Sequence, residues 1–219
     1  MVTVDVRKVG RIIFDYSPRT LLEASPFIET HNTATFDCDV VADAGLGKQG
    51  AAYRIGGFAD NAGDSVDGQL YLPYYDFDRY EFGFDIRCPA ADADISRWDM
   101  VLRFNTGVWF YQFGFRAESG YGVDEEYQYR GSAGYVAIPI FDNLWRNPLQ
   151  WFRCRLVLDL ENDVYELIEL NNLRLTGPAV FKTSDVSSAA VSEVKFSIVM
   201  ADAKSAHIYI DRFWLYGLN

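Results

Sequence analysis

Arginine side chains recur at alternate positions of several extended segments, where they could bind acidic groups. Arg153 and Arg155 flank Cys154, while Arg103 and Arg116 occupy similar positions in two other segments. The guanidinium fork matches a carboxylate through two parallel hydrogen bonds, so a groove lined by such residues could hold a polymer of acidic sugars. The alternative is that these arginines form ordinary surface ion pairs, which contribute little to stability. The carboxylates available for that pairing are Glu81, Asp85, Asp99 and Asp159.

Two pairs of carboxylates lie close together in the sequence, but neither has the spacing of a glycosidase. A retaining enzyme needs two carboxyl groups about 5–5.5 Å apart, one as acid and one as nucleophile. Glu81 and Asp85 share a face of a predicted strand, but that spacing places them about 13 Å apart. Glu166 and Glu169 project to opposite faces because their spacing is odd. A partner carboxylate on another strand stays possible.

A lyase would need a base such as tyrosine or histidine beside an arginine or glutamine that neutralises the carboxylate of its substrate. The two histidines are His31, in a predicted loop, and His207, at the start of the last predicted strand. Either could act as a base, although a single histidine is more often structural. The sequence contains no Gly-x-Ser-x-Gly elbow, phosphate-binding loop or metal-type cluster of histidine and cysteine. It therefore provides no positive evidence for catalysis, and whether the protein is an enzyme stays open.

These side chains must be positioned by strands, because apolar residues recur with a period of two along most of the chain. The clearest case is Trp151–Leu175, which predicts three antiparallel strands joined by tight turns. Similar alternation predicts strands at Tyr80–Cys88, Trp98–Asn105 and Val108–Glu118. Residues 56–68 are polar and are predicted to form an exposed loop. Many strands, short turns and no long amphipathic helix indicate an all-β sandwich or barrel.

The composition is that of a soluble globular chain with excess negative charge. The 219 residues are 49% hydrophobic, enough to bury a core without a disulfide or a metal, and residues 1–219 are predicted to form one domain. A net charge of −11 argues against nucleic acid and anionic membranes as partners. Cys38, Cys88 and Cys154 are predicted to be small buried apolar residues. No signal peptide is visible, so the compartment is not predicted, and neither is the oligomeric state.

The chain resembles the concanavalin A-like lectin and glucanase superfamily, which includes laminin G-like modules. The resemblance rests on the Trp-led hairpin from Trp151 to Asn172, on the closing segment His207–Tyr216 with its Ile210-Asp211 pair, and on Ala51–Ile55. It implies a jelly-roll β-sandwich of two antiparallel sheets, one of them concave. Ligands would then bind across the concave face or in loops at its edge. Because lectins, hydrolases, lyases and structural modules share this fold, the resemblance alone does not select a function.

The expected function is that of a non-catalytic carbohydrate-binding module of unknown specificity. One alternative is a polysaccharide-processing enzyme, a glycoside hydrolase or lyase, that uses the same concave face. A second alternative is a structural or assembly module whose exposed aromatic residues contact another protein. Trp109 is assigned to the core. The candidate glycan-binding residues are Trp145, Trp151, Arg153, Arg155, Arg103, Arg116, Gln112, Tyr127, Tyr129, Glu81 and Asp85.

No cofactor is required by these arguments, but a structural calcium ion is a possibility that the resemblance raises. Related jelly rolls often hold an ion with an aspartate of the closing strand and oxygens near the N-terminus. Asp211 occupies the matching position, and Asp15 is its expected neighbour across the sheet. Hard oxygen ligands suit Ca²⁺. The competing interpretation is that Asp211 hydrogen-bonds nearby backbone at a β-bulge.

Overall fold

The computed structural model of the protein describes residues 11–18, 25–31, 35–42, 51–72, 77–88, 95–107, 109–118, 126–138, 151–175, 181–183 and 192–218. In these residues, sixteen strands, numbered in chain order, form two antiparallel sheets of eight. The first sheet contains β1 (Arg11–Tyr16), β3 (Thr35–Ala42), β4 (Ala51–Phe58), β6 (Arg79–Arg87), β11 (Phe152–Asp159), β12 (Val164–Leu170), β13 (Leu173–Leu175) and β16 (Ser205–Leu218). The second sheet contains β2 (Ile28–His31), β5 (Ser65–Tyr71), β7 (Ile95–Asn105), β8 (Phe110–Glu118), β9 (Glu126–Gly131), β10 (Gly134–Ile138), β14 (Phe181–Thr183) and β15 (Glu193–Met200). No helix in the described part of the chain is long and apolar enough to cross a bilayer.

Strands that are neighbours in space come from distant parts of the chain. The order in the first sheet is β13-β12-β11-β6-β16-β4-β3, and β1 also pairs with β16. The order in the second sheet is β10-β9-β8-β7-β15-β5-β2, and β14 also pairs with β8. The predicted fold class, an all-β sandwich of two antiparallel sheets, is confirmed.

Most of the alternating segments form strands where the sequence predicts them, including β6, β7, β8 and the three strands β11 to β13. The predicted exposed loop at 56–68 is wrong at both ends. Gly56, Gly57 and Phe58 belong to β4, where both glycines are buried. Residues from Ser65 onward belong to β5, and the side chain of Val66 is fully buried. The sequence pattern that predicts a strand was weak here, because Val66 is the one large apolar residue among small and polar neighbours.

The last strand, β16, organises the centre of the first sheet. One of its edges pairs with β6, while the other pairs with β4 over Ser205–Ile210 and with β1 over Phe213–Gly217. The register shifts between Ile210 and Arg212, which places Asp211 at a β-bulge. The long closing strand therefore holds the N-terminal strand and β4 end to end.

The core lies between the two sheets and is rich in aromatic rings. Phe84 of the first sheet contacts Trp98, Phe115 and Phe196 of the second, with ring centroids 5.2–6.3 Å apart in edge-to-face geometry. Such pairs add about 0.5–1.5 kcal/mol beyond the burial of their area. Cys88 and Cys154 are buried free thiols, as predicted, whereas the side chain of Cys38 lies outside the described part.

Replacement of Phe84 by alanine should test this contact between the sheets. Phe84 is fully buried, so Phe84→Ala should lower the free energy of unfolding by about 3–5 kcal/mol through lost burial and a new cavity. Phe58→Ala is the control, because the Phe58 side chain is 44% exposed and its loss should change stability by less than about 0.5 kcal/mol. Urea unfolding followed by tryptophan fluorescence measures both. Similar losses in the two variants would contradict the described core.

Candidate functional site

The charged and amide candidate residues predicted from the sequence lie on two opposite faces of the sandwich. Arg153 and Arg155 lie on the face of the first sheet that points away from the core, next to Asp85 and Glu81. In contrast, Arg103, Gln112 and Arg116 line a cleft on the outward face of the second sheet. Packed sheets are about 10 Å apart with a core between them, so the two groups cannot line one groove.

On the first sheet the arginines are neutralised by neighbouring carboxylates. Arg153 donates two hydrogen bonds to Asp85, at 2.8 and 2.9 Å, and Arg155 donates one to Glu81 at 2.8 Å. These contacts agree with the ion-pair alternative stated above. Hydrogen bonding to Asp85 and to Glu81 also raises the pKa of Arg153 and Arg155, respectively.

An indole ring fills the middle of this first face. Trp214 lies against Gly83, where any Cβ atom would come within 2.2 Å of the ring. The guanidinium groups of Arg153 and Arg212 lie over the indole, 5.9 and 4.9 Å from its centroid, and the side chain is only 5% exposed. The face is therefore covered by its own side chains and leaves little ring surface for a sugar.

The outward face of the second sheet instead contains an open cleft of about 280 Å³, formed by five neighbouring strands and the adjoining β10. We call this space the cleft. Its floor is apolar where Val101 pairs with Gly114, and Ser197 lies between Asp67 and Asp99 of the two adjacent strands. Gly114 must be a glycine, because a Cβ atom there would lie 2.3 Å from the carbonyl oxygen of Met100. The lining residues are Ser65, Asp67, Arg97, Asp99, Val101, Arg103, Gln112, Arg116, Arg130, Tyr135, Lys195, Ser197 and Val199.

Ion pairs hold the cationic side chains of the cleft in place. Arg97 and Arg116 bind the two oxygens of Asp99 at 2.8 and 2.5 Å, and Lys195 binds Asp67 at 2.9 Å. The Asp99 side chain is 8% exposed, whereas those of Arg97 and Arg116 are 33% and 21% exposed. The carboxylate is thus the buried member of the group, and the guanidinium groups are the parts that solvent or a ligand contacts.

A second buried carboxylate has the same role at the other end of the cleft. Glu193 accepts hydrogen bonds from Arg103 and from Gln69, and its side chain is 3% exposed against 31% for Arg103. A buried charge is tolerated only when it is paired and hydrogen-bonded, which Arg103 and Gln69 ensure. Arg103 is thereby fixed in a position next to Gln112, its cross-strand neighbour.

The side wall of the cleft is an aromatic ring stacked with arginine. The guanidinium carbon of Arg116 lies 3.8 Å from the centroid of the Tyr135 ring, and that of Arg130 lies 5.3 Å away. Tyr165 of the first sheet donates a hydrogen bond to the carbonyl of Arg130 at 2.8 Å, which ties β9 to the core. Burial raises the pKa of the Tyr135 phenol, and the charge of Asp99 raises it further. At neutral pH the Tyr135 phenol is therefore protonated, and its ring forms a wall of the cleft.

The described aromatic residues that the sequence analysis predicted to stack on sugars do not line the cleft. The expectation of exposed rings at Tyr127 and Tyr129 is wrong, because Tyr127 is 1% exposed in the core and Tyr129 packs against the core beside Tyr165. Trp151 is half-buried just before β11, and Trp145 lies outside the described residues. The assignment of Trp109 to the core is also wrong, since its side chain is 37% exposed next to the turn between β7 and β8.

Four residues that contribute much of the charge and shape of the cleft were not predicted from the sequence. They are Arg97, Arg130, Tyr135 and Lys195. The sequence pattern could have identified Lys195 as an outward-facing residue, because it alternates with Val194 and Phe196 in a predicted strand. It could not have identified Arg130 and Tyr135, because the surrounding tyrosines and glycines show no clear period.

The proposed calcium ligands do not form an evident metal site. The Asp15 carboxylate accepts hydrogen bonds from Arg212 at 2.8 and 2.6 Å and from the Tyr216 hydroxyl at 2.7 Å. Asp211 is buried at the β-bulge, and its carbonyl accepts a hydrogen bond from Ser17. Among the described residues no group of three His, Cys, Asp or Glu side chains is placed to hold a metal ion. The oxygens of Asp15 are occupied by a cation of the chain itself.

Comparison with solved structures identifies the fold. The carbohydrate recognition domain of Emp46p, in its metal-free form, has a TM-score of 0.56 at 13% identity and covers 93% of this chain and 97% of that one. A carbohydrate esterase, vb_24B_21, from the Shiga toxin-encoding bacteriophage phi24B has a TM-score of 0.61 at 12% identity, over 96% and 100%. The catalytic domain of a GH131 β-glucanase from Podospora anserina has a TM-score of 0.54 at 12% identity, over 94% and 96%.

The sequence comparisons add no closer relative. No protein-family model matches the chain, and no curated protein matches it in sequence. At 12–13% identity the structural likeness applies to the fold alone. The chain has the concanavalin A-like jelly-roll fold, as the resemblance of its sequence implied.

The pH dependence of stability should show whether Asp15 acts as an ion-pair partner. Hydrogen bonds from Arg212 lower the pKa of Asp15 below its ordinary value of 3.8. The stabilisation is therefore complete above that value and is lost as the pH falls through the lower pKa of the folded state. Asp15→Asn should lower the urea midpoint at pH 7, and the difference from the wild type should vanish in acid.

A chelator provides the control for the calcium hypothesis. If the ion pair accounts for the effect, EDTA should leave the midpoints of the wild type and of Asp15→Asn unchanged. A wild-type melting temperature that falls with EDTA, together with a variant that does not respond, would instead assign Asp15 to a metal site.

Proposed function

We propose that the protein is a non-catalytic carbohydrate-binding module that binds polysaccharide in the cleft of the second sheet. The observation that carries this proposal is the cleft itself, which combines an apolar floor at Val101 and Gly114 with a rim of hydrogen-bonding side chains. Ligand sites are concave and use a few well-placed polar groups to orient what they bind. The fold supports the proposal, because proteins of the same fold include a carbohydrate recognition domain.

The donors of the cleft are oriented before any ligand arrives. Arg97 and Arg116 are held by Asp99, and Arg103 is held by Glu193. Long side chains that are already immobilised lose less entropy on binding, which favours affinity for a polar ligand. Gln112 lies beside Arg103 and provides both a donor and an acceptor, the combination that sugar hydroxyls need.

A polysaccharide-processing enzyme that uses the same cleft is the competing proposal, and the arrangement favours it less. Asp67 and Asp99 flank Ser197 on neighbouring strands, so their Cα atoms are roughly 10 Å apart. A retaining glycosidase needs two carboxyl groups about 5–5.5 Å apart that contact the substrate. Here both carboxylates contact cations of the chain itself, Asp67 through Lys195 and Asp99 through two arginines.

Filling the cleft with a large side chain should abolish binding. Val101 is 7% exposed on the floor of the cleft, and Val101→Trp should displace a bound glycan. Val157 is also 7% exposed but lies on the outward face of the first sheet, opposite Glu81, so Val157→Trp is the matched control. We expect affinity electrophoresis in polysaccharide gels to show retardation of the wild type and of Val157→Trp, but not of Val101→Trp.

A second variant on a different strand guards against misfolding of the first, since overpacking can cost about 1–3 kcal/mol. Ser197→Tyr enters the same space from β15 and should also abolish retardation, with a near-ultraviolet circular dichroism spectrum like that of the wild type. Unchanged binding in both cleft variants would place the site elsewhere. Release of reducing ends or unsaturated products from a polysaccharide by the wild type would favour the enzyme.

A further inference from the structure

We infer that the exposed side chains of Tyr71 and Ile28 extend the cleft with an apolar platform, on which one pyranose ring of a bound polysaccharide stacks through its face of C–H groups. This inference rests on the proposed function and adds a subsite together with the kind of contact made there. The direction, the exposure and the position of the two side chains support it.

Tyr71 points to the face of the second sheet that contains the cleft. It is the last residue of β5, and its neighbours in sequence, Leu70 and Leu72, both pack on the core. Successive side chains of a strand point to opposite faces, so Tyr71 lies on the outward face together with Asp67, which lines the cleft. The Tyr71 side chain is 50% exposed. A large ring therefore lies beside the cleft with about half of its surface in contact with solvent.

Ile28 of β2 adds a second exposed apolar side chain at the same place. It pairs with Gln69 of β5, and paired residues of antiparallel strands point to the same face. Because Gln69 precedes Tyr71 by two positions, Ile28 is a diagonal neighbour of Tyr71, about 7–8 Å away and within reach of an aromatic side chain. Ile28 is 54% exposed. We call these two side chains the platform.

The platform continues the cleft in the direction across the strands. Tyr71 pairs with Glu193, which pairs in turn with Arg103 of β7. Arg103 pairs with Gln112, and both of these residues line the cleft. Neighbouring strands are about 4.8 Å apart, which places the backbone of Tyr71 about 14 Å from that of Gln112 in this row. A ligand that contacts both side chains must therefore be a chain of sugars and not a single ring.

The platform and the row beside it offer the two kinds of contact that a sugar can make. A pyranose has an apolar face of C–H groups and hydroxyl groups around its edge. The Tyr71 ring is large and rigid, so covering it removes apolar area from water at a low cost in side-chain entropy. Arg103 and Gln112 provide hydrogen-bonding groups for hydroxyls further along the row. A ring stacked on Tyr71 would thus continue into sugar units that form hydrogen bonds in the cleft.

The size of the platform argues against a protein partner. A stable protein interface buries about 1,200–2,000 Å² in total, far more than two side chains supply. The row beside the platform is also polar, because Glu193 accepts hydrogen bonds from Arg103 and Gln69. Apolar side chains next to a few fixed polar groups are instead typical of sites for small or extended ligands.

The experiment is affinity electrophoresis of the full chain in gels that contain a β-glucan, a xylan or polygalacturonate. For each polymer that retards the wild type, the dissociation constant of Tyr71→Ala is measured at about 50 mM and about 500 mM salt, where screening differs strongly. We expect this variant to bind about tenfold more weakly, because the ring that contacts the sugar is lost. The loss should be the same at both salt concentrations, because stacking on an apolar face involves no net charge.

Matched variants assign the effect to the ring. Tyr71→Phe keeps the ring and should restore most of the affinity that Tyr71→Ala loses. Ile28→Thr keeps a β-branched side chain in β2 and should weaken binding, but less than Tyr71→Ala does. Phe58→Ala removes a ring that is similarly exposed, at 44%, but belongs to β4 of the first sheet, and it should bind as the wild type does. Tyr71→Thr has a higher strand propensity than Tyr71→Ala and repeats the test in case alanine disturbs β5.

The possible results separate this inference from the proposed function. Wild-type affinity in Tyr71→Ala and Tyr71→Thr would overturn the inference and leave the proposed function standing. No retardation of the wild type by any of the three polymers would overturn both. An equal loss in Tyr71→Phe and Tyr71→Ala, a loss confined to low salt, or a wild-type dimer that Tyr71→Ala dissociates in analytical ultracentrifugation would also overturn the inference.

Discussion

The structure depends on the interlocking of aromatic rings between the two sheets. Phe84 of the first sheet contacts three aromatic rings of the second, and each strand that contributes to this core must keep its register. A shift by one residue would expose the apolar side chains of a strand and bury its charges, at a large cost in free energy. Leu102 and Phe115 face inward, and for that reason Arg103 and Arg116 face outward. The chemistry of the surface is thus set by packing in the interior.

The outward faces of the two sheets contain similar residues, but one surface is filled and the other forms a cleft. In the first sheet Gly83 makes room for the indole of Trp214, and arginines then cover the ring, so that the surface is filled. In the second sheet Gly114 is paired with Val101, and neither side chain is large enough to fill the space between the charged rows. A cleft forms where small residues are central and long ones are peripheral. The same fold can therefore hold a closed face and an open one.

Alternation in the sequence predicted the strands, the fold class and the outward direction of Arg103, Arg116, Arg153 and Arg155. It did not predict which of these arginines share a sheet. β7 and β8 belong to one sheet and β11 to the other, and this division depends on pairing between strands that are distant in sequence. The exposure of the aromatic side chains was harder to predict, because residue type alone does not distinguish a buried ring from an exposed one. Tyr127 and Tyr129 occur in a segment without a clear period; Tyr127 is buried in the core, and Tyr129 packs against the core while partly exposed.

A carboxylate buried in the cleft requires its arginine partners. Asp99 and Glu193 are nearly inaccessible to solvent, whereas the arginines that bind them are partly exposed. Loss of the partners of such a carboxylate leaves an unpaired buried charge, which costs about 3–5 kcal/mol. These arginines therefore contribute to the stability of the second sheet, and the same contacts fix their exposed parts in position at the surface of the cleft. One set of ion pairs thus serves both the fold and the geometry of the candidate site.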